Sequence, residues 1–352
     1  MGMRKTSRVR VAAALAVLAV AGGTFLDDAR GKSAVSVSSS GQRLLIPGGQ
    51  AVGVALKTQG VLVVAGGEEK SPLRVGDVIV AVDGEMTQSA DQLAEQVNAP
   101  DQETVTLSVK RDGKAIRMKA DVPKDETDGR RRLGVWVRDS TAGVGTLSYV
   151  DPVTGAYGAL GHAIVDADTG ETLSVMDGAV MRATVVGVVR GQSGKAGELR
   201  GSFLKENVQI GTLTANGAYG IFGRMTQDST SLYPQGLPTA SRSEVHPGAA
   251  SIISTVDEWG PEEYAIEIVR CFSQSKPDQK GMILRVTDER LLEKTGGIVQ
   301  GMSGSPILQD GKIVGAVTHV YLSDSAQGYG MYIDWMLEQS DQMTVEHAQG
   351  AA

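Results

Sequence analysis

Gly301-Met302-Ser303-Gly304-Ser305-Pro306-Ile307-Leu308, followed by Gln309-Asp310-Gly311-Lys312 and Ile313-Val314-Gly315-Ala316-Val317-Thr318, decides how this chain folds. Two apolar runs flank an Asp-Gly dipeptide, the pattern of a two-residue hairpin turn. Ahead of the hairpin stands a serine with glycine two residues before it and glycine directly after. The first glycine lets the chain turn and keeps its N–H clear of a side chain; the second leaves room for an approaching carbonyl. In that geometry the N–H groups of Gly301 and Ser303 converge as an oxyanion hole, each donor being worth about 10²–10³ in rate. A Gly/Ser turn that merely joins two strands is the competing reading. The motif differs from the Gly-x-Ser-x-Gly elbow, which sits between a strand and a helix.

The rest of the chain has the same texture. It carries 45 glycines in 352 residues and only 4% aromatics. With recurrent Val/Ile/Thr runs, this predicts short strands joined by tight turns. Hydrophobic content of 41% and charged content of 21% are those of a globular protein. The net charge of -7 excludes nucleic acid as the main partner, because no excess of cations exists to neutralise phosphates. From Leu133 to about Ser340, runs such as Gly145–Val150, Ala183–Val189 and Gln209–Leu213 are separated by Gly, Asp and Pro. Long helical periods are missing between them, which favours an all-β sandwich or barrel pair over a parallel sheet. Tyr332–Leu337 reads as a single amphipathic helix.

A serine hydroxyl needs a base to become a nucleophile. Four histidines are available: His162, His246, His319 and His347. His347 lies in the polar tail, His319 ends the strand after the hairpin, and His246 precedes Pro247 in a Ser/Gly-rich loop. His162, in Tyr157-Gly158-Ala159-Leu160-Gly161-His162-Ala163-Ile164, has small neighbours that let another segment approach the imidazole, so it leads. Lone Cys271 reads as a small buried apolar residue. No His-x-x-x-His pair or thiolate cluster appears, so no metal is expected. No phosphate loop or dinucleotide fingerprint appears either, and no cofactor is expected.

The N-terminus has the layout of an export signal. Arg4, Lys5, Arg8 and Arg10 precede the apolar run Val11–Ala21, with Ala19-Val20-Ala21 as a small-x-small cleavage site. Residues 1–26 are thus a signal peptide or a membrane anchor, and Ser-rich residues 27–43 a flexible tether.

Residues 44–122 form the next block. Val52–Leu56 and Gly60–Val64 read as strands, Ser89 caps a helix to Val97, and Thr104–Arg111 is a strand ended by Asp112-Gly113. Its Leu73-Arg74-Val75-Gly76-Asp77-Val78-Ile79-Val80-Ala81-Val82-Asp83-Gly84 stretch resembles a PDZ domain. That resemblance implies binding of an extended peptide at a sheet edge, with the carboxylate-holding loop at Gly49 to Gly53 leading into Val54. Residues 123–352 make the second domain.

Val137–Leu147, Gly158-Ala159-Leu160-Gly161-His162 and Gly301–Pro306, in this order after a PDZ-like block, look like the SpoIVB peptidase family of sporulation serine peptidases. The resemblance implies a mainly β fold, with a PDZ-like domain followed by a chymotrypsin-like double β-barrel. It makes Ser303 the nucleophile, His162 the base and Asp288 the acid; Asp166, Asp168 and Asp177 are rival acids. It further implies an exported enzyme of the space between two membranes, acting on protein substrates. One would be a membrane-bound regulator of an intramembrane metalloprotease, and another the enzyme's own N-terminal region. An HtrA-type quality-control protease, whose PDZ follows the protease, and a non-enzymatic PDZ scaffold are the alternatives.

Overall fold

The computed structural model describes residues 43–66, 71–99, 103–202, 209–226 and 231–350, with side chains to 343. The export signal and most of the tether lie outside the described residues.

Strands β1 (Leu44–Pro47) and β2 (Ala51–Gly66) lead into β3 (Val78–Val82), β4 (Glu85–Met86), helix α1 (Ala90–Val97), β5 (Thr104–Arg111) and β6 (Lys114–Asp121). Then come β7 (Val135–Val150), β8 (Ala156–Ala159), β9 (Val175–Arg182), β10 (Thr184–Val189), β11 (Glu198–Ser202), β12 (Gln209–Gly217) and β13 (Gly220–Met225). The last part holds β14 (Leu237–Pro238), β15 (Gly248–Thr255), β16 (Pro261–Cys271), β17 (Met282–Val286), α2 (Glu289–Thr295), β18 (Pro306–Gln309), β19 (Lys312–Val320), β20 (Gln327–Tyr332) and α3 (Ile333–Gly350). The Asp-Gly dipeptides do what their chemistry allows. Asp83-Gly84, Asp112-Gly113 and Asp310-Gly311 all take positive φ at both residues and close tight hairpins.

Two barrels result. In the first, the pairings run β2–β7–β8–β13–β12–β9 and return to β2. Val52, Val54, Leu147, Tyr157, Val180 and Ile221 fill it. The second closes as β15–β16–β17–β20–β19–β18 around Ile252, Ile268, Leu284, Ile307 and Val317. The fold is therefore mainly β, with a double barrel and a PDZ domain, as the sequence predicts.

The connection between the parts differs from the expected tandem. β2 and β7 are a pair of 16-residue strands that belong to two cores. Their inner halves, registered Ala51↔Thr146 to Lys57↔Ser140, are barrel staves. Their outer halves, Leu62↔Arg138 to Gly66↔Val135, join β3, β5, β6 and α1. That outer module buries Val61, Val63, Ile79, Leu93, Val97 and Leu107. The PDZ module is thus inserted into the first barrel, and residues from Leu44 to Thr58 pack with the barrels. Two strands predicted at Val52–Leu56 and Gly60–Val64 are one, because β2 runs unbroken through Lys57–Gln59 and is buried on either side of it, once in each core.

Candidate active site

β8 ends at Ala159, and the chain then takes two consecutive left-handed residues, Leu160 (φ 70) and Gly161 (φ 69). A leucine there carries about 1–3 kcal/mol of backbone strain. It is held because its N–H donates to Thr146 O (3.1 Å) and its side chain fills the space a Cβ on Gly145 would take. Gly161 has little room either: a Cβ on it would stand 3.1 Å from Thr318 Cγ2 and 3.3 Å from Val317 O. The turn thereby delivers His162, half-buried, against β19 of the second barrel. Its ring centroid lies 5.8 Å from that of His319.

The serine-bearing turn meets this segment from the other side. α2 ends at Gly296 (φ 76), and after buried Ile298 and Val299 the chain turns through Gly301 (φ 94), Ser303 and Gly304 (φ 98). Gly304 proves to make room for protein backbone: a Cβ there would lie 2.1 Å from Thr146 O and 2.5 Å from Leu160 N. Thr146 grips the turn twice, its N–H donating to Ser303 O (3.1 Å) and its hydroxyl to Gly301 O (2.8 Å). The Ser303 hydroxyl donates to Thr318 O (2.9 Å), and Gly304 N–H to Val317 O (2.8 Å). The N–H groups of Gly301 and Ser303 donate to no acceptor among the described residues. Ser303 and His162 are thus both brought to the Val317–His319 stretch. Hydroxyl and imidazole are not bonded to one another here: the hydroxyl is on Thr318 O, and His162 meets Ala163 O through Nδ1.

His162 Nδ1 faces Ala163 O at 2.9 Å. Asp288, the residue expected on that nitrogen, lies elsewhere in the network. It is the N-cap of α2, accepting from Arg290 N (3.0 Å), from Ala265 N (3.2 Å) and from the Arg290 guanidinium (2.8 Å). The guanidinium holds its carboxyl below the usual carboxylate range. Both oxygens are occupied, and no hydrogen bond links Asp288 to His162 among the described residues. The rival Asp166 is buried, closing its own turn through Asp168 N and Thr169 N and pairing with Arg138; Asp168 pairs with Arg138 at 2.8 Å.

Asn216 at the end of β12 is a residue that sequence reasoning missed. Its Oδ1 accepts from Ile164 N, and its Nδ2 donates to Ile164 O and Leu173 O, each at 2.8 Å. Three amide bonds therefore fix the backbone two residues beyond His162. The strand also carries Gln209, Thr212 and Thr214, so a further polar residue in it gave no distinct signal.

His319 has its basicity pushed down, by burial first and then by His162 and Lys280, and its Nδ1 is buried without a partner. His246 is a surface residue whose basicity is raised by Pro247 O and by the Asp310 carboxylate at 3.0 Å. Cys271 is half-buried, and burial raises its thiol. Among the described residues no His/Cys/Asp/Glu group could hold a metal, and no helix is long and apolar enough to cross a membrane.

The expected peptide loop requires correction. Gly49, Gly53 and Val54 sit in the barrel region: a Cβ on Gly49 would strike Ile253, and Gly53 and Val54 are paired with β7 on one side and β9 on the other. No sheet edge is free there to take a peptide. A cavity of about 500 Å³ lies instead between α1 (Ala90, Leu93, Ala94, Val97) and the segment Arg131–Val137. There the outer half of β7 pairs with β2 on one edge only, and Gly134 (φ 70) turns the chain into it.

No curated protein matches the chain. Among solved structures, the PDZ domain of an SdrC-like protein from Listeria monocytogenes matches at 20% identity, over 22% of this chain and 87% of that one, with TM-score 0.21. The active form of the Rv3671c protease from M. tuberculosis matches at 13% identity over 58% and 74%, TM-score 0.33. The HtrA-type protease AlgW with decapeptide matches at 9% over 85% and 65%, TM-score 0.35. A PDZ domain model matches residues 69–111. The SpoIVB peptidase S55 model matches residues 129–337, more than half of the sequence, and the chain belongs to that family of serine endopeptidases.

Proposed function

We propose that Ser303 is the nucleophile and His162 the general base of this endopeptidase, with the Gly301 and Ser303 N–H groups as the oxyanion hole. The observation that carries this reading is the seam at Gly304, where the serine turn and the histidine turn touch backbone to backbone. With its proton on Nδ1, His162 donates to Ala163 O, which leaves Nε2 as the basic nitrogen. A backbone carbonyl thus does the orienting work that a carboxylate does in a Ser-His-Asp triad. To react, the Ser303 hydroxyl leaves Thr318 O and donates to Nε2, exchanging one hydrogen bond worth about 1 kcal/mol for another. Such tightening on substrate binding is ordinary for a resting site. Attack on the scissile carbonyl gives a tetrahedral oxyanion facing the two free N–H groups. His162 then returns the proton to the leaving amine, and water repeats the cycle on the acyl-enzyme. Burial lowers the basicity of His319, which disfavours a second positive charge beside the imidazolium.

The resemblance to SpoIVB peptidases supports the finer role. The enzyme acts after export, in sporulation signalling, on a membrane-associated regulator of an intramembrane metalloprotease and on its own N-terminal region. The groove between α1 and β7 receives an extended peptide by strand addition, with Leu93 and Val97 as its apolar wall. Mass-spectrometric mapping of the N-termini produced by the full chain and by Ser303→Ala tests the reading. New termini in the tether region are expected only from the unsubstituted protein; identical maps would overturn it.

A further inference from the structure

The hairpin β10–β11 is inserted between first-barrel strands β9 and β12, yet its apolar face is part of the second core. Val185 and Leu199 are buried there with Val299 and Met302. β11 lies parallel to Gln300 and captures both of its backbone groups: Gln300 N–H donates to Gly197 O (2.9 Å), and Leu199 N–H donates to Gln300 O (2.8 Å). The hairpin tip is anchored in turn, Gly191 N–H donating to Thr295 O (2.9 Å).

The peptide unit that carries the Gln300 carbonyl also carries the Gly301 N–H. In a trans planar peptide these two groups point in opposite directions. The bond from Leu199 therefore fixes where the Gly301 N–H aims, away from β11. Thr146 fixes the next peptide by holding Gly301 O, and the Leu199 side chain packs where a Gly301 Cβ would stand, 3.0 Å away. A flip of the Gln300–Gly301 peptide would break the Leu199 bond and turn a carbonyl into the space meant for an oxyanion.

We propose that the β10–β11 hairpin is a brace for the oxyanion loop, and that Leu199 is a positioning residue whose N–H holds Gly301 in its donating orientation. The inference rests on the reading of Gly301 as an oxyanion donor. In the β10–β11 ladder Leu199 stands opposite Val188, and its N–H is directed out of that ladder to Gln300. Leu199→Pro thus deletes this bond, whereas Leu199→Ala keeps it and trims only the side chain. Replacement of the Leu199 amide by the corresponding ester deletes the N–H with the side chain intact.

The test is steady-state hydrolysis of a peptide substrate by the full chain and these three variants, with the affinity of a peptide boronate measured alongside. The proline and ester forms are expected to lose about 10²–10³ in kcat, the amount one oxyanion donor supplies, with KM within about threefold. Boronate affinity should fall by a similar factor, and Leu199→Ala should keep most of the activity. Should the proline form not fold, the ester form decides. An ester form with kcat within a few-fold of the parent overturns the proposal, as does an alanine form that loses as much. A parent protein that neither hydrolyses peptide nor binds boronate would sink the underlying peptidase reading instead.

Discussion

The two barrels close with the same number of strands but are built under different rules. The second is continuous in sequence from β15 to β20, its longest connection being the one between β17 and β18 that holds α2 and the serine turn. The first is interrupted twice, by the PDZ module between the outer halves of β2 and β7 and by the β10–β11 hairpin. Each barrel supplies one half of the proposed site: the histidine turn follows β8 in the first, and the serine turn precedes β18 in the second. The interrupted barrel reaches into its neighbour. Thr146 grips the serine turn, and Leu199 touches Gly301.

The two barrels depend on one another most strongly at the reacting groups. Ser303→Ala or His162→Ala should lower kcat by about 10⁴-fold or more, with little change in KM, because the two act as a unit. Hydrolysis of a peptide substrate measures this, and the double variant should be no worse than either single one. Additive losses would mean that the halves work independently.

Next in size is the seam. Gly304→Ala places a methyl 2.1 Å from Thr146 O at φ +98, so it should cost about 3 kcal/mol and abolish activity. Denaturant unfolding reads the loss; a variant as stable as the parent would show that the barrels do not meet there. Asn216→Ala leaves Ile164 and Leu173 backbone groups unpaired, for about 2 kcal/mol and a clear fall in kcat. Asn216→Asp should not rescue it, since a carboxylate cannot donate to the two carbonyls.

The smallest effect expected is at Asp288. Its loss removes a helix cap, so Asp288→Ala should cost about 1 kcal/mol and leave kcat within about tenfold. A fall near 10⁴ with unchanged stability would restore it as the triad acid. Its folded pKa is lowered, chiefly by Arg290, so its contribution is complete above the unfolded value of about 4 and fades as pH falls through the folded one. The gap between parent and variant should therefore close in acid.

Legibility followed chain continuity. The hairpin after Ser303, the Asp-Gly turns and the Ser89 cap could be read because each depends on neighbours in sequence. The unity of β2 could not, because a strand shared by two cores looks like two strands separated by Lys57–Gln59. The cavity beside α1 was not foreseen for the same reason: its other wall includes the start of β7, some 40 residues past that helix. The turns that carry Ser303 and His162 could be read, because each is set by its own glycines. Asn216 acts through its side-chain amide on backbone groups distant in sequence, and Leu199 through its own N–H, so neither partner set could be read locally.

The central claim is that a hydroxyl from one barrel is activated by an imidazole from the other. Labelling of the full chain with a fluorophosphonate, with the adduct located by mass spectrometry, tests it most directly. A single adduct on Ser303, formed at least about 10³-fold more slowly in His162→Ala, is the predicted result. An adduct elsewhere, or a Ser303 rate indifferent to His162, would contradict it.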